Sequence, residues 1–326
     1  MKAIVVAEPG DESVLQLVDV PSPELRPGCV RIATKAAGVN RADVMQRQGS
    51  YPPPPGAPDT IGLECAGDVV EVADDVTGWK KGDRVMALLP GGGYAAEAVV
   101  HAGSVMPIPD GLSYVEAAAL PEVMLTVYRN VWQLGELPAG GAVLVHGGGS
   151  GIGTATIQLV NAWKGTVVVT AGSADKCQRC LELGAHAAAN YNEDDFVAVA
   201  KEATDGRGVD VVLDSIGAPY LEKNLAALAL EGRLVLIGLM GGAKAELNLA
   251  ALLLRRLQVI GSTLRALPED QKAGIVRGFL QTFGAALSSG EIRPIVDSVF
   301  PLAEAPEAHR VMKASTHFGK IILEVD

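Results

Sequence analysis

The central part of the chain alternates short apolar runs with longer stretches in which apolar positions recur every three or four residues. The runs are rich in Val, Leu and Ile and have the length of buried strands, while the stretches have helical periodicity. Six such runs occur, at Val143–His146, Thr166–Thr170, Ala187–Tyr191, Val209–Ser215, Gly232–Gly238 and Leu257–Gly261. This pattern predicts an α/β domain with a doubly wound sheet of six parallel strands, which is typical of dinucleotide binding.

The first 120 residues have a different pattern, with short β-branched runs separated by Gly and Pro, such as Gly28–Ala33 and Gly67–Val72. They predict a small twisted β domain. A run of the same character, Gly319–Val325, ends the sequence, and we expect it to return to that domain. The predicted division is therefore 1–121 with 266–326 for the β domain, and 122–265 for the dinucleotide domain.

A glycine-rich turn joins the first central strand to the helix that follows it, between Val143 and Gly153. Glycines let a backbone approach phosphate closely, and a helix start offers unpaired N–H groups and the positive end of its dipole. Ser150 stands where the usual G-x-G-x-x-G motif has its middle glycine, so a plain tight turn remains an alternative. We assign Gly151 and Ile152, in the first turn of that helix, to the cofactor pyrophosphate.

The end of the second strand indicates which dinucleotide is bound. An NAD site usually has an Asp or Glu there for the ribose hydroxyl, but this chain has Gly172 and Ser173. If Ser173 caps the next helix, Lys176 lies in its first turn, where a cation is favourable only beside an anion. A 2′-phosphate fits, which predicts NADPH; the alternative is that Lys176 is solvated and Asp175 contacts the ribose of NADH.

Ligands of such sheets lie beyond the carboxyl ends of the strands. The loops after the later strands therefore supply further candidate cofactor contacts, although each residue is also compatible with ordinary loop chemistry. These candidates are Tyr191, Ser215, Leu239 and Gly241.

Length and charge narrow the class of protein. A chain of 326 residues accommodates two domains, and its net charge of −11 disfavours nucleic acid and anionic membranes as partners. We expect small-molecule ligands and self-association. The apolar run near the first residue is too short for a signal peptide, so a cytoplasmic location is expected.

Cys177 and Cys180 form a C-x-x-C without a second ligand pair, which favours packing over a metal or redox site.

Several segments in the same order resemble the medium-chain dehydrogenase/reductase superfamily. They include Gly38–Asp43, Gly62–Gly67, Gly82–Val85 and the glycine-rich turn. Within the superfamily the chain is similar to the zinc-free quinone oxidoreductases related to zeta-crystallin, and most similar to their tumour-suppressor-inducible branch, through Asn40–Pro54, Met86–Gly93, Thr170–Ser173 and Gly238–Gly242. The resemblance implies a GroES-like β domain with a Rossmann domain.

Zinc-dependent members of that superfamily have a Cys at the position of Asn40 and Gly-His-Glu at the position of Gly62–Glu64. Asn and Leu do not replace thiolate and imidazole ligands, so no metal is expected. Without a Lewis acid, hydride transfer needs an electrophilic acceptor such as a quinone or an enone.

The resemblance also implies roles for individual residues. Tyr51 is the candidate hydrogen-bond donor or proton source and Asn40 a catalytic contact at the nicotinamide, although Tyr51 is also compatible with a half-buried loop aromatic. Asp43 is expected to be a buried acceptor with a structural role. Ser150 is expected near the pyrophosphate or the nicotinamide, and further cofactor contacts are expected at Thr126, Thr263, Phe318 and Lys320. A homodimer through the edge strand around 257–263 is expected.

The resulting hypothesis is an NADPH-dependent, zinc-independent quinone oxidoreductase. Two alternatives remain open. One is a reductase of activated carbon–carbon double bonds, such as those of alkenals or enoyl thioesters. The other is a non-catalytic NADPH-binding sensor.

Overall fold

Buried β-branched residues form the sheets on which this chain is built. The computed structural model describes residues 1–325, which divide into two compact units. Unit 1 comprises Met1–Val123, Leu264–Thr282 and the segment from Pro294 onwards, and unit 2 comprises Met124–Thr263 and Phe283–Arg293. The unit boundaries at 123/124 and 263/264 each lie two residues from the predicted domain boundaries. Residues 283–293, which the predicted division assigns to the β domain, belong to unit 2.

Fifteen strands are present in the described residues. They are β1 Lys2–Val6, β2 Leu15–Asp19, β3 Cys29–Val39, β4 Glu64–Val72, β5 Arg84–Leu88, β6 Glu97–His101, β7 Val105–Pro107, β8 Ala142–His146, β9 Thr166–Ala171, β10 Ala187–Asn190, β11 Val209–Asp214, β12 Leu228–Leu236, β13 Gln258–Gly261, β14 Val296–Pro301 and β15 Lys320–Glu324.

The α-helices of the described chain are α1 Arg41–Arg47, α2 Tyr114–Ala117, α3 Pro121–Val127, α4 Gly151–Ala162, α5 Ala174–Glu182, α6 Phe196–Glu202, α7 Leu221–Ala227, α8 Leu249–Arg255, α9 Glu269–Ser289 and α10 Ala305–Ala314. A π-helical segment, Tyr128–Leu134, continues α3.

Unit 2 contains a single sheet of six parallel strands in the order β10-β9-β8-β11-β12-β13. The order reverses at β8, the first strand of this unit, and ligands of such sheets bind beyond the strand ends at that reversal. Leu144, Val168 and Val212 belong to its buried core, because parallel strands with helices on both faces have no solvated side. The predicted Rossmann fold is confirmed.

Unit 1 contains a sheet in the order β14-β15-β3-β4-β5-β7, with β6 also paired to β3, and a separate β1-β2 hairpin. All the pairs except β14-β15 are antiparallel. β15 pairs with β3, with Ile321 opposite Val39, so the last strand returns to the N-terminal domain as expected. The predicted GroES-like domain is confirmed.

A buried ion pair joins three of these elements. The ammonium of Lys320 on β15 lies 2.6 Å from Oε1 of Glu64 on β4 and 2.6 Å from Oδ1 of Asn40, which precedes α1. The Glu64 carboxylate also accepts the Asn40 Nδ2 amide at 2.8 Å and, through Oε2, the Glu122 N–H at 2.8 Å. A Cβ at Gly38 would lie 2.6 Å from the Glu64 carboxyl carbon, so only a glycine at position 38 leaves room for the Glu64 carboxylate.

Replacing Lys320 with Met should destabilise the protein strongly, because it leaves the Glu64 carboxylate charged, buried and without its cation. Loss of one partner of a buried pair costs about 3–5 kcal/mol. Urea unfolding of Lys320→Met should show this loss, and adding Glu64→Gln should recover part of it. The control Lys2→Met breaks the exposed Lys2–Asp19 pair and should leave the free energy of unfolding unchanged. Equal losses in Lys320→Met and Lys2→Met would refute the assignment.

Candidate cofactor and acceptor sites

The glycine-rich turn of unit 2 has the predicted strand–turn–helix form. β8 ends at His146, α4 begins at Gly151, and the Ser150 hydroxyl oxygen accepts the Gly153 N–H at 3.0 Å. A Cβ at Gly148 would lie 2.7 Å from the Val169 Cβ, so Gly148 is required by strand–helix packing. The first-turn N–H groups of Gly151 and Ile152 have no intrahelical acceptor, as at any helix start, and remain the candidate pyrophosphate donors.

The residues assigned to the cofactor phosphate lie together after β9. The Ser173 hydroxyl caps α5 and accepts the Lys176 backbone N–H at 3.2 Å, which places Lys176 in the first turn. A Cβ at Gly172 would lie 2.9 Å from the Tyr191 Cζ, so the Tyr191 ring lies against the bare Cα of Gly172. Asp175 is exposed in the same helical turn. The structure therefore brings Gly172, Ser173, Lys176 and Tyr191 into one group.

The loops after β11 and β12 are joined by backbone hydrogen bonds. The Ser215 carbonyl accepts the Met240 N–H at 3.1 Å, and the Gly241 N–H donates to the Ile216 carbonyl at 2.8 Å. Leu239 is exposed between them. Ser215, Leu239 and Gly241 are thus one local group at the carboxyl ends of the strands.

Two further predicted cofactor residues of unit 2 lie outside these loops. Thr263 is exposed two residues after β13. Thr126 is buried on α3, and its carbonyl accepts the Asn130 side-chain amide at 2.7 Å. Their contacts with a cofactor remain predictions.

A buried chain of polar side chains, which sequence reasoning missed, connects the ends of three strands of unit 2. Asn224 on α7 donates to the Asp214 carboxylate at 3.0 Å, and its Oδ1 lies 2.7 Å from His146 Nε2. His146 Nδ1 lies 3.1 Å from the Thr170 hydroxyl. The polar residues at the ends of otherwise apolar strands are the signal from which this chain could be predicted.

The direction of each hydrogen bond in this chain follows from its partners. Because the Asp214 carboxylate takes the Asn224 amide protons, Asn224 Oδ1 must accept, and His146 Nε2 must donate. Burial lowers the pKa of His146 to about 4, so the ring is neutral and its Nδ1 accepts the Thr170 hydroxyl proton. The Thr170 oxygen then accepts the Gly147 N–H at 3.4 Å. The chain therefore fixes the glycine-rich turn through its first residue.

In unit 1, Tyr51 is half-buried on the loop after α1. The Arg265 guanidinium carbon lies 5.3 Å from the centre of the Tyr51 ring, within the range of a cation–π contact. Burial raises the pKa of Tyr51 above its usual value, although the Arg265 charge opposes this shift. The phenol is therefore protonated at neutral pH and able to donate a hydrogen bond.

The side chains of Asn40 and Lys320 form hydrogen bonds within unit 1. The Lys320 ammonium has three protein acceptors, Glu64, Asn40 Oδ1 and the Val39 carbonyl. The Asn40 amide donates to Glu64 and to the Gly38 carbonyl. These donors are used within unit 1, and the contacts of both residues with a cofactor remain predictions. Phe318 is buried, and its N–H donates to Asp297 at 2.9 Å.

Asp43 has the buried position expected of it, and its acceptor role is confirmed. Its Oδ2 accepts the Asn40 N–H at 2.8 Å and the Tyr94 hydroxyl at 3.2 Å, and burial raises its pKa to about 7. The Tyr94 hydroxyl also lies 3.1 Å from His309 Nε2. The Asp43 carboxylate thereby holds the first turn of α1, at whose start Asn40 lies.

The two cysteines of the C-x-x-C segment, Cys177 and Cys180, are buried and not linked in a disulfide. Burial raises the pKa of Cys180 to about 12, as expected for a packing residue. Within residues 1–325, no cluster of three or more His, Cys, Asp or Glu side chains is arranged to hold a metal ion. None of the described helices combines the length and apolar character needed to span a membrane.

Two family models match the chain. The model of the alcohol dehydrogenase GroES-like domain matches residues 26–110, and that of the zinc-binding dehydrogenase matches residues 151–277. Their order along the chain agrees with the β domain and the parallel-sheet domain described above.

Several proteins are similar to this chain over nearly its whole length. The quinone oxidoreductase of Rattus norvegicus is 33% identical over 331 residues, which covers 99% of this chain and 97% of the relative. The human synaptic vesicle membrane protein VAT-1 homolog-like is 32% identical and covers 100% of this chain and 81% of its own length.

The solved structure of Escherichia coli quinone oxidoreductase complexed with NADPH is similar throughout. It has a TM-score of 0.89 at 30% identity and covers 99% of this chain and 100% of its own. The tumour-suppressor-inducible branch remains a prediction. The fold, the family models and these full-length relatives together show that the chain belongs to the medium-chain dehydrogenase/reductase superfamily and is an oxidoreductase related to its quinone oxidoreductases.

Proposed function

We propose that this protein reduces quinones with NADPH and without a bound zinc ion. The observation that carries the proposal is the group after β9, where a serine-capped helix presents Lys176 beside Gly172 and no acidic residue ends the strand. The named relatives support the proposal, since several are quinone oxidoreductases and the E. coli structure contains NADPH. When bound, NADPH supplies a hydride, which together with a proton converts the quinone to a hydroquinone.

The residues of unit 2 fit such a cofactor. Gly151 and Ile152 supply backbone donors for the pyrophosphate, while the Ser173 hydroxyl and the Lys176 charge suit a 2′-phosphate. The buried chain from Asp214 to Thr170 orders the turn that carries the pyrophosphate donors, so these donors need no rearrangement on binding. Thr126, Ser215, Leu239, Gly241 and Thr263 remain proposed contacts.

The residues of unit 1 do not fit a zinc ion. The Glu64 carboxylate and the Asn40 side chain already bind the Lys320 ammonium, and the remaining candidate position is Leu63, which has no donor atom. We infer that Lys320 supplies the buried positive charge here. Reduction then relies on an acceptor that is electrophilic by itself, as quinones are.

Tyr51 is the residue proposed to contact the acceptor. Its phenol is protonated at neutral pH, and a hydroxyl donor stabilises the negative charge that develops on the acceptor oxygen as hydride arrives. The guanidinium of Arg265 against the ring assists this donation, because a neighbouring cation makes the phenol a stronger acid.

Anaerobic assays with paired acceptors test the proposed reaction. The purified protein should oxidise NADPH with a 1,2- or a 1,4-quinone and not with 2-alkenals or crotonyl thioesters. Oxidation only with the alkenals or thioesters would indicate a reductase of activated double bonds. Tight NADPH binding without oxidation by any acceptor would indicate a sensor.

Replacing Lys176 with Ala should raise the KM for NADPH at least about tenfold, because a charge-assisted contact with phosphate contributes roughly 1.5–3 kcal/mol. The KM for NADH should change little, since that cofactor lacks the 2′-phosphate. Steady-state kinetics with both cofactors measure the effect. Lys201→Ala, which removes an exposed lysine of α6, is the matched control. An unchanged preference for NADPH in Lys176→Ala would contradict the phosphate assignment.

Replacing Tyr51 with Phe should lower kcat with a quinone by roughly tenfold to a hundredfold, because a donor to the developing oxyanion is lost. The dissociation constant for NADPH, measured by fluorescence titration, should stay the same. Tyr114→Phe removes a phenolic hydroxyl that donates to Asp68 in the same unit and should keep full turnover. If Tyr51→Phe weakens NADPH binding and leaves kcat intact, the proposed role is wrong.

A further inference from the structure

A cavity of about 270 Å³ in unit 1 has an unusual concentration of positive charge in its wall. Arg26, Arg265 and Lys272 line it together with His101, and Glu269 is the one acidic residue among its lining residues. We call it the cationic cavity. Its charge contrasts with the net charge of −11 of the whole chain, which on average repels anions.

Arg265, in the wall of this cavity, is a buried cation whose hydrogen-bond donors are only partly used. It is 6% exposed, and its Nε donates to the Pro90 carbonyl at 2.7 Å. Both Nη atoms are buried and have no hydrogen-bond partner among the described residues. Burying a cation with unsatisfied donors is costly unless an anion compensates it.

Lys272, in the first turn of α9, is a second buried cation in the same wall. It is 7% exposed and forms no ion pair in the part of the chain that the structure describes. Burial lowers its pKa, and the Arg265 charge does so further, while Glu269 opposes the shift. A cation at a helix start is unfavourable by itself, because the dipole is positive there. An anion in the cavity would offset both effects.

His101 adds an imidazole to this wall. Its Nδ1 accepts the Gly103 N–H at 3.2 Å, so in the neutral ring the proton is on Nε2. The cavity wall therefore offers a guanidinium, an ammonium and an imidazole N–H, which together match the several acceptor oxygens of a carboxylate or a phosphate.

The cavity adjoins the proposed acceptor contact. Arg265 lies against the Tyr51 ring, and the loop after Tyr51 supplies part of the wall through Pro54–Ala57. A volume of about 270 Å³ is below the usual size of a site for a whole drug-sized ligand, so it suits a substituent of a larger molecule.

We propose that the cationic cavity binds an acidic substituent of the acceptor, so that the protein's own acceptor is a quinone or enone that carries a carboxylate or phosphate group. This inference rests on the proposed function. The guanidinium of Arg265 pairs with two oxygens of the anion, and Lys272 neutralises its charge. The electrophilic ring then lies beside Tyr51.

Matched acceptors test the inference. We would measure kcat/KM with 1,4-naphthoquinone and with its carboxylate-bearing and phosphate-bearing derivatives. Wild-type protein should prefer a charged derivative at least tenfold, and the two charged derivatives distinguish the carboxylate from the phosphate. Lys272→Met and Arg265→Gln should each lower that preference about tenfold. Arg277→Gln, an exposed position on α9, is the control and should retain it.

A binding measurement without turnover separates this inference from the proposed function. Calorimetry with 2-naphthoate and with the neutral 2-naphthamide should show tighter binding of the anion by the wild type, and loss of this difference in Lys272→Met. If no quinone supports NADPH oxidation but the anion still binds, the proposed reaction fails and the site stands. Equal binding of the acid and the amide, or equal rates with charged and neutral quinones, would overturn the inference.

Discussion

The buried pair of Lys320 and Glu64 is the constraint on which unit 1 depends. A carboxylate without solvent access requires a cation, and here that cation arrives on the last strand of the described chain. Because the same ammonium binds Asn40, it fixes the start of α1, and the loop bearing Tyr51 follows that helix. This ion pair therefore joins β15 to the sheet and also fixes the start of the helix that precedes the Tyr51 loop.

In unit 2, the buried Asp214 carboxylate has N–H donors as its partners and forms no ion pair within the described residues. The buried polar groups at the strand ends of this unit are satisfied by a chain of hydrogen bonds from Asp214 to Thr170, with a neutral His146 in the middle. The Nη atoms of Arg265, in contrast, belong to the buried side-chain atoms that have no hydrogen-bond partner among the described residues. Buried polar atoms in native proteins are usually paired, so an unpaired guanidinium in a cavity wall is informative about ligands.

The periodic apolar runs were sufficient to predict all six parallel strands, because burial on both faces imposes a pattern visible in the sequence. Ser173 and Lys176 were placed correctly on their helix, since capping depends on neighbouring residues. The contacts of Lys320 were not predictable, because Asn40 and Glu64 lie more than 250 residues away along the chain. The cationic cavity was missed for the same reason: its cations come from segments far apart in sequence.

The position of β15 in the sheet also has a consequence for synthesis on the ribosome. The strands of unit 2 all lie within residues 142–261, so that sheet is complete while residues 320–324 are still untranslated. Until β15 is made, residues 36–39 of β3 lack their partner on one edge, and the Glu64 carboxylate lacks the Lys320 ammonium. The nascent chain is thus exposed to edge-to-edge aggregation from the synthesis of β3 until β15 is made and pairs with it.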